Sequence, residues 1–170
     1  MDEKALTTRI ADGDKTALRE AYDAFGREMY MFALTLTKGN EPNAEDILQE
    51  CFVRVWENRR KLEAVQSLKG YLFRMLRNIF LNLKRTEDRE MKRRSQLIVE
   101  APSDSDIDIE ALNREIDGLP EEQRQVLVLR IWGEMTLAQT AEVLGIPENT
   151  ASSRYRYALN KLRDGLGDRS

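Results

Sequence analysis

Apolar residues recur at helical spacing along the whole chain, and the clearest example lies near its C-terminal end. Leu137, Ala141 and Leu144 line one face of a short helix, and Gly145 follows where a left-handed residue commonly ends a helix. A second helical stripe of apolar residues comes after Pro147, formed by Ala151, Tyr155, Ala158 and Leu162. Two short helices joined by one tight turn are typical of a helix-turn-helix.

Polar residues occupy the opposite face of the second of these helices. They are Asn149, Ser153, Arg156, Asn160 and Arg163. Their donors and acceptors are of the types that reach phosphates and base edges in a DNA major groove. An ordinary amphipathic hairpin with a solvated polar face explains these residues equally well, so both interpretations stay open at this point.

The first half of the chain predicts three further helices. Leu6 and Ile10 indicate a short helix that breaks near Gly13, and a long helix follows with Asp14 as its cap. The third helix is expected to begin with Asn43 as its cap. Its inward face is predicted to comprise Ala44, Ile47, Leu48, Cys51, Phe52 and Val55.

A fourth helix, capped by Ser67, combines a broad apolar stripe with a polar face. The predicted buried stripe is Leu68, Leu72, Met75, Leu76, Ile79 and Leu83. The other face is expected to carry Gly70, Arg74, Arg77, Asn78 and Arg85, with Tyr71, Phe73 and Phe80 among them. Cations and amides interleaved with aromatic rings suit single-stranded nucleic acid. A helix packed on two sides is the alternative.

Composition favours an all-α protein made of two small helical domains. Of the 170 residues, 41% are apolar and 34% are charged, with only four prolines and no sustained alternation of apolar and polar positions. The net charge is −3, but residues 69–94 are locally basic and residues 100–122 are acidic. We therefore predict domains at 1–86 and 109–170, the second containing the helix-turn-helix, joined by a flexible linker at 87–108.

Several kinds of chemistry are not expected. The chain has no histidine and a single cysteine, Cys51, so neither a zinc site nor an internal disulfide is predicted. We find no nucleophile or phosphate-binding motif, and therefore expect no catalytic residue, no metal, no cofactor and no small-molecule substrate. The charged N-terminus and the lack of a long apolar run predict a cytoplasmic protein that does not insert into a membrane.

Three segments, in this order, resemble those of one known family. They are NAEDILQECFVRVWENRRKL at 43–62, SLKGYLFRMLRNIFLNLKR at 67–85, and the stretch at 119–163 that ends in the helix-turn-helix. With these segments, the chain resembles the extracytoplasmic-function (ECF) sigma factors of bacterial RNA polymerase. The resemblance implies a promoter-specificity subunit that binds the beta-prime and beta subunits of core polymerase, recognises promoter DNA and opens the duplex. It also implies an anti-sigma factor as a further partner.

The resemblance also implies roles for individual residues. Core polymerase would be bound through Asp46, Gln49, Glu50 and Trp56. The minus-ten element would be bound through Lys69, Tyr71, Arg74, Arg77, Asn78 and Asn82. The minus-thirty-five element would be bound through Asn149, Thr150, Ser152, Ser153, Arg154, Arg156, Tyr157 and Asn160. Ser152 and Tyr157 depart from the basic residues frequent in the family, which predicts an unusual base preference.

Two other functions remain as alternatives at this stage. A stand-alone helix-turn-helix regulator would use its N-terminal domain to sense a ligand or to dimerise. An all-helical adaptor would never contact DNA. Affinity for polymerase distinguishes a sigma factor from these alternatives, because a sigma factor binds core enzyme tightly and has little promoter affinity alone.

Overall fold

The computed structural model describes residues 1–91 and 114–167, and every regular element within these ranges is a helix. The helices belong to two compact units, Met1–Gln96 and Leu97–Ser170. The all-α fold predicted from the sequence is confirmed. The predicted linker, 87–108, begins within the last helix of the first unit and otherwise lies outside the described residues. The predicted domain boundaries remain predictions.

Within residues 1–91, the N-terminal unit contains four α-helices and one short 3-10 helix. The α-helices are α1 (Glu3–Ala11), α2 (Lys15–Leu36), α3 (Glu41–Glu57) and α4 (Leu68–Met91), and the 3-10 helix spans Arg59–Ala64. Asp14 caps α2 as predicted, because its carboxylate accepts hydrogen bonds from the backbone N–H groups of Thr16 and Ala17. The Ser67 hydroxyl likewise accepts from the Gly70 N–H at the start of α4.

The core of this unit lies where α2, α3 and α4 pack against one another. All six residues predicted to face inward on α3 are buried, which fixes the rotation of that helix. Phe32 of α2 and Phe73 of α4 are fully buried, with ring centroids 5.8 Å apart. Burial of this apolar surface is the main force that holds the three helices together.

The predicted start of α3 was wrong by three residues. The N-cap is Asn40, whose side-chain oxygen accepts a hydrogen bond from the Asn43 N–H at 3.1 Å. Pro42 lies in the first turn, where its missing N–H leaves no helical hydrogen bond unmade. Asn43 is therefore the donor in this interaction rather than the cap.

The predicted faces of α4 also need correction at two positions. Phe73, expected on the polar face, is 0% exposed, because α4 packs against both α2 and α3 and therefore has a wide buried surface. Leu83, expected in the core, is 46% exposed. From Asn82 to Glu90 every residue of α4 is exposed, so the helix continues beyond the helices on which it packs.

The C-terminal unit contains the predicted helix-turn-helix. Its α-helices are α5 (Glu121–Ile131), α6 (Leu137–Leu144) and α7 (Glu148–Gly167), preceded by helical residues 114–117. Thr136 and Gln139 form a reciprocal capping box at the start of α6. Gly145 ends α6 with φ of 63°, the left-handed conformation expected of a glycine at this position.

Packing of α5 and α6 against α7 decides which face of α7 is exposed. Ile116, Leu119 and Leu127 form one buried cluster with Ala158 and Leu162 of α7. Arg130 of α5 donates a hydrogen bond to the Met135 carbonyl, and its guanidinium lies 5.0 Å from the centre of the Tyr155 ring. The opposite, polar face of α7 is left in solvent.

Candidate functional site

The outward face of α3 carries the residues of the DILQE segment. Asp46 and Gln49 are exposed, and Glu50 lies one turn beyond Asp46 on the same side of the helix. Val53 is 51% exposed and continues this face. The structure thus gathers the predicted acidic residues into one solvent-facing surface with an apolar residue at its end.

Glu50 already has a partner within the protein. Its Oε1 atom accepts a hydrogen bond from Nε of Arg54, one turn later, at 2.6 Å. The Glu50 side chain is 45% exposed and that of Arg54 is 43% exposed. Water therefore competes with the pair, and such surface ion pairs contribute only about 0–1 kcal/mol to stability.

Trp56 is half-buried at the end of α3. Its ring is covered by Arg59, a residue for which the sequence predicted no role. The guanidinium of Arg59 lies 4.8 Å from the centre of the indole ring. Nη1 of Arg59 also donates to the Trp56 carbonyl at 3.1 Å. Arg59 thus holds the ring in place and adds positive charge beside the acidic face.

A groove of about 500 Å³ separates the end of α3 from α4. Three of the residues predicted to bind the minus-ten element, Tyr71, Arg74 and Asn78, line it. The remaining lining residues are Arg54, Asn58, Lys61, Met75 and Ile79. Cations, amides and an aromatic ring thus surround a partly apolar space, the combination that suits a base together with its phosphates.

The electrostatics of this groove favour an anion. Arg54, Lys61 and Arg74 contribute positive charge, and none of the described residues that line the groove is acidic. Burial raises the pKa of the Tyr71 phenol further above neutral pH, and the protonated hydroxyl can donate a hydrogen bond.

Sequence reasoning missed one wall of this groove. Arg54, Asn58 and Lys61 come from α3, from the residue after it and from the 3-10 helix, and only tertiary packing brings them opposite α4. Conversely, the predicted residues Lys69, Arg77 and Asn82 do not line the groove. Lys69 and Arg77 are half-buried, and Asn82 lies at the start of the exposed part of α4.

The third surface is the exposed face of α7. Five of the eight predicted residues are exposed and three are half-buried. The exposed ones are Asn149, Ser152, Arg156, Tyr157 and Asn160, and the half-buried ones are Thr150, Ser153 and Arg154. Most of the predicted residues thus share one accessible helix face of the kind that enters a major groove.

The two arginines within this set have different environments. Arg154 reaches back to α5, where its Nη2 lies 3.4 Å from Oε2 of Glu122. Arg156 is exposed, and its guanidinium lies 5.7 Å from the centre of the Tyr157 ring. Tyr157 itself is 56% exposed. Arg156 is therefore the arginine better placed to reach a base edge.

Within residues 1–91 and 114–167, no group of three or more His, Cys, Asp or Glu side chains is placed to hold a metal ion. No helix in these ranges is both long and apolar enough to cross a membrane.

Comparison with known families gives two matches in the same order as the two units. The description "Sigma-70 region 2" matches residues 21–90, and "Sigma-70, region 4" matches residues 116–164. The first match covers α3, α4 and the groove between them, and the second covers the helix-turn-helix.

Individual relatives agree with these matches over nearly the full chain. The chain is 27% identical to the ECF RNA polymerase sigma factor SigW of Bacillus subtilis, over 97% of each chain. It is 26% identical to the ECF RNA polymerase sigma factor SigL of Mycobacterium tuberculosis, over 94% of each.

Two solved structures with the same fold each contain a second protein. The sigma factor RpoE in complex with the anti-sigma factor NepR from Bartonella quintana has a TM-score of 0.76 at 23% identity, covering 88% of this chain and 96% of that one. CnrH, solved with the cytosolic domain of CnrY, has a TM-score of 0.71 at 22% identity, covering 99% of each. At this level of identity the likeness concerns the fold.

Proposed function

Because the chain belongs to the ECF sigma factors of the sigma-70 family, we propose that its function is divided among the three surfaces described above. As an ECF sigma factor it binds core RNA polymerase, directs it to promoters through the minus-thirty-five and minus-ten elements and promotes DNA melting. A stand-alone helix-turn-helix regulator is not favoured, since residues 21–90 match sigma-70 region 2 rather than a ligand-sensing domain.

The assignment of different functions to these surfaces rests mainly on α3, which borders two of them. Its exposed face bears Asp46, Gln49 and Glu50, whereas its C-terminal end borders a groove lined by three cations. One rigid helix thus connects an acidic surface to a basic one. We assign the acidic surface, with Trp56, to core polymerase, and the basic groove to DNA.

The groove is assigned to the non-template strand of the minus-ten element. Flipping a base out of the duplex costs a few kcal/mol of unstacking, and stacking on an aromatic ring contributes about 1–3 kcal/mol per base. Tyr71 is the aromatic ring available in the groove, and Asn78 supplies amide donors and acceptors for a base edge. Arg74 is placed to hold a phosphate of the same strand.

The exposed face of α7 is assigned to the minus-thirty-five element as a duplex. Polar and aromatic side chains on one face of the second helix of a helix-turn-helix are placed to contact base edges in the major groove. Arg156 would read a base because it is exposed on this face, whereas Arg154 is half-buried, lies towards Glu122 of α5 and would contribute mainly to positioning.

Further properties follow from the same assignment. The protein acts as an initiation factor without a catalytic centre of its own, in the cytoplasm, where core polymerase is found. We extend to it the type of partner present in the RpoE structure, an anti-sigma factor, which would compete for the acidic and DNA-facing surfaces.

Charge reversal at Glu50 tests the assignment of the acidic surface. Glu50→Lys should abolish co-purification with core polymerase, because a like charge placed in a complementary interface costs several kcal/mol. Glu45→Lys is the matched control, since Glu45 is an exposed glutamate on the same helix outside the assigned set. It should bind core enzyme nearly as well as the unmodified protein. Unchanged binding by a folded Glu50→Lys variant would refute the assignment.

A further inference from the structure

Arg54 belongs to both of the surfaces that α3 connects. Its Nε donates to Glu50 at 2.6 Å, which ties it to the acidic face. The same side chain lines the groove together with Tyr71, Arg74 and Asn78. It lies outside the DILQE segment and outside α4, so the residue patterns that indicated those two surfaces did not include it.

The link between Glu50 and Arg54 is weak enough to be exchanged. Both side chains are more than 40% exposed, so water competes for each charge. Exposed pairs of this kind change an equilibrium constant by about fivefold at most. A donor or cation from a binding partner can therefore replace Arg54 at the Glu50 carboxylate without a change in the fold.

We propose that Arg54 is a DNA-binding residue that Glu50 restrains in the free protein. When polymerase engages the Glu50 carboxylate, Arg54 is released to contact the backbone of the single strand in the groove. Neutralisation of Glu50 acts in the same direction, because it removes the ion pair that holds Arg54. The inference rests on the proposed function, which assigns the two surfaces to polymerase and to DNA.

The coupling must work in both directions. If occupation of Glu50 by polymerase raises the affinity of the groove for DNA, then DNA in the groove raises the affinity for polymerase by the same factor. Lys61 and Arg74 line the groove as well and give it affinity for phosphate independently of this link. Arg54 therefore adjusts the affinity of the groove rather than creating it.

The first test uses the full chain without polymerase. A fluorescein-labelled single-stranded DNA of mixed sequence is the probe, with binding followed by anisotropy and by NMR shifts of the groove residues. Glu50→Gln removes the carboxylate charge and should raise affinity by about two- to fivefold. Glu45→Gln removes the same charge elsewhere on α3 and should have a smaller effect. In an Arg54→Gln background, Glu50→Gln should give no gain.

Each contrary outcome of this test overturns the inference. A gain that persists in the Arg54→Gln background would mean that net charge, not Arg54, controls affinity. Equal gains in DNA affinity from Glu50→Gln and Glu45→Gln would also mean that net charge controls affinity. NMR shifts confined to other parts of the chain would show that the single strand does not occupy this groove.

The second test adds core polymerase and examines Arg54→Gln alone. The variant should keep its affinity for core enzyme or gain up to about fivefold, because Glu50 no longer has an internal partner. Promoter melting by the reconstituted enzyme, read by permanganate reactivity, should fall. A general structural defect would lower both quantities, and loss of core affinity with normal melting would refute the inference. If the unmodified protein failed to bind core polymerase, the proposed function itself would fail instead.

Discussion

Cys51 is fully buried at the contact between α3 and α4, and its thiol lies 3.6 Å from the Leu72 carbonyl. Burial raises the pKa of this thiol to about 12, because the thiolate would lose its hydration. The thiolate is the reactive form of cysteine, so the side chain is inert at neutral pH. Its role is that of a small apolar residue in the core, as the sequence predicted.

The buried thiol makes stability depend on pH in the alkaline range. In the unfolded chain Cys51 titrates near 9, whereas in the folded protein its pKa is about 12. Its contribution to the free energy of unfolding is therefore complete below pH 9 and declines as pH rises towards 12. Urea unfolding of the native protein should show this decline, and Cys51→Ala should show less of it.

Comparing the native protein with Cys51→Ala also controls for other groups that titrate at alkaline pH. Burial raises the pKa of Tyr30 and of Tyr71 as well, but these tyrosines are present in both proteins, so their own burial does not contribute to the difference. The Cys51 thiolate also raises the pKa of Tyr71, and that smaller effect is lost together with Cys51. An identical pH dependence in the two proteins would contradict burial of the thiol. Native protein at pH 8 should also resist a thiol reagent that labels the unfolded chain quickly.

The two arginines of α7 should differ in what they contribute to promoter recognition. Arg156→Ala should weaken use of the preferred minus-thirty-five site by about 1–3 kcal/mol and relax the base preference at one position, because a base contact is lost. Arg154→Ala should weaken all sites to a similar, smaller extent, since Glu122 directs that side chain towards α5. In vitro transcription from promoters randomised in this element measures both effects. Loss of base preference in Arg154→Ala alone would reverse the assignment.

Among the helices, α4 illustrates that a side chain is buried only where neighbouring helices extend alongside it. Phe73 lies where α2 and α3 both pack against α4 and is 0% exposed, whereas Leu83 lies beyond them and is 46% exposed. Residue type alone would place both side chains in a core. The exposed stretch from Asn82 to Glu90 leaves the end of the helix accessible to a partner or to DNA.

These two positions predict unequal effects on stability. Phe73→Ala should destabilise the N-terminal unit by about 3–5 kcal/mol, because it leaves a cavity beside Phe32. Leu83→Ala should change stability by no more than about 0.5 kcal/mol, as is usual for surface positions. Chemical denaturation followed by circular dichroism compares them. Similar losses for the two variants would mean that α4 packs differently from the arrangement described.

The sequence correctly predicted those features that depend on residues close to one another along the chain. The inward face of α3 follows from helical periodicity, and the end of α6 follows from a glycine in the left-handed conformation. The start of α3 was wrong because two asparagines flank Glu41 and Pro42 and either could cap a helix. The second wall of the groove could not be predicted, since Arg54 and Lys61 reach it only through tertiary packing.

For the whole molecule, we propose that the two units carry separate tasks within one function. The N-terminal unit holds the acidic surface and the basic groove, and the C-terminal unit holds the helix-turn-helix. The resemblance of the sequence to ECF sigma factors and the matches to regions 2 and 4 lead to the same assignment.

Transcription reconstituted with core polymerase distinguishes a sigma factor from a stand-alone regulator. Core enzyme and the protein are incubated with a library of genomic promoter fragments, and the 5′ ends of the transcripts are sequenced. We expect initiation at a common set of sites that requires both components, with little footprinting of these sites by the protein alone. Specific footprinting without polymerase, together with no change in start sites when the protein is added, would contradict the account and indicate a stand-alone regulator.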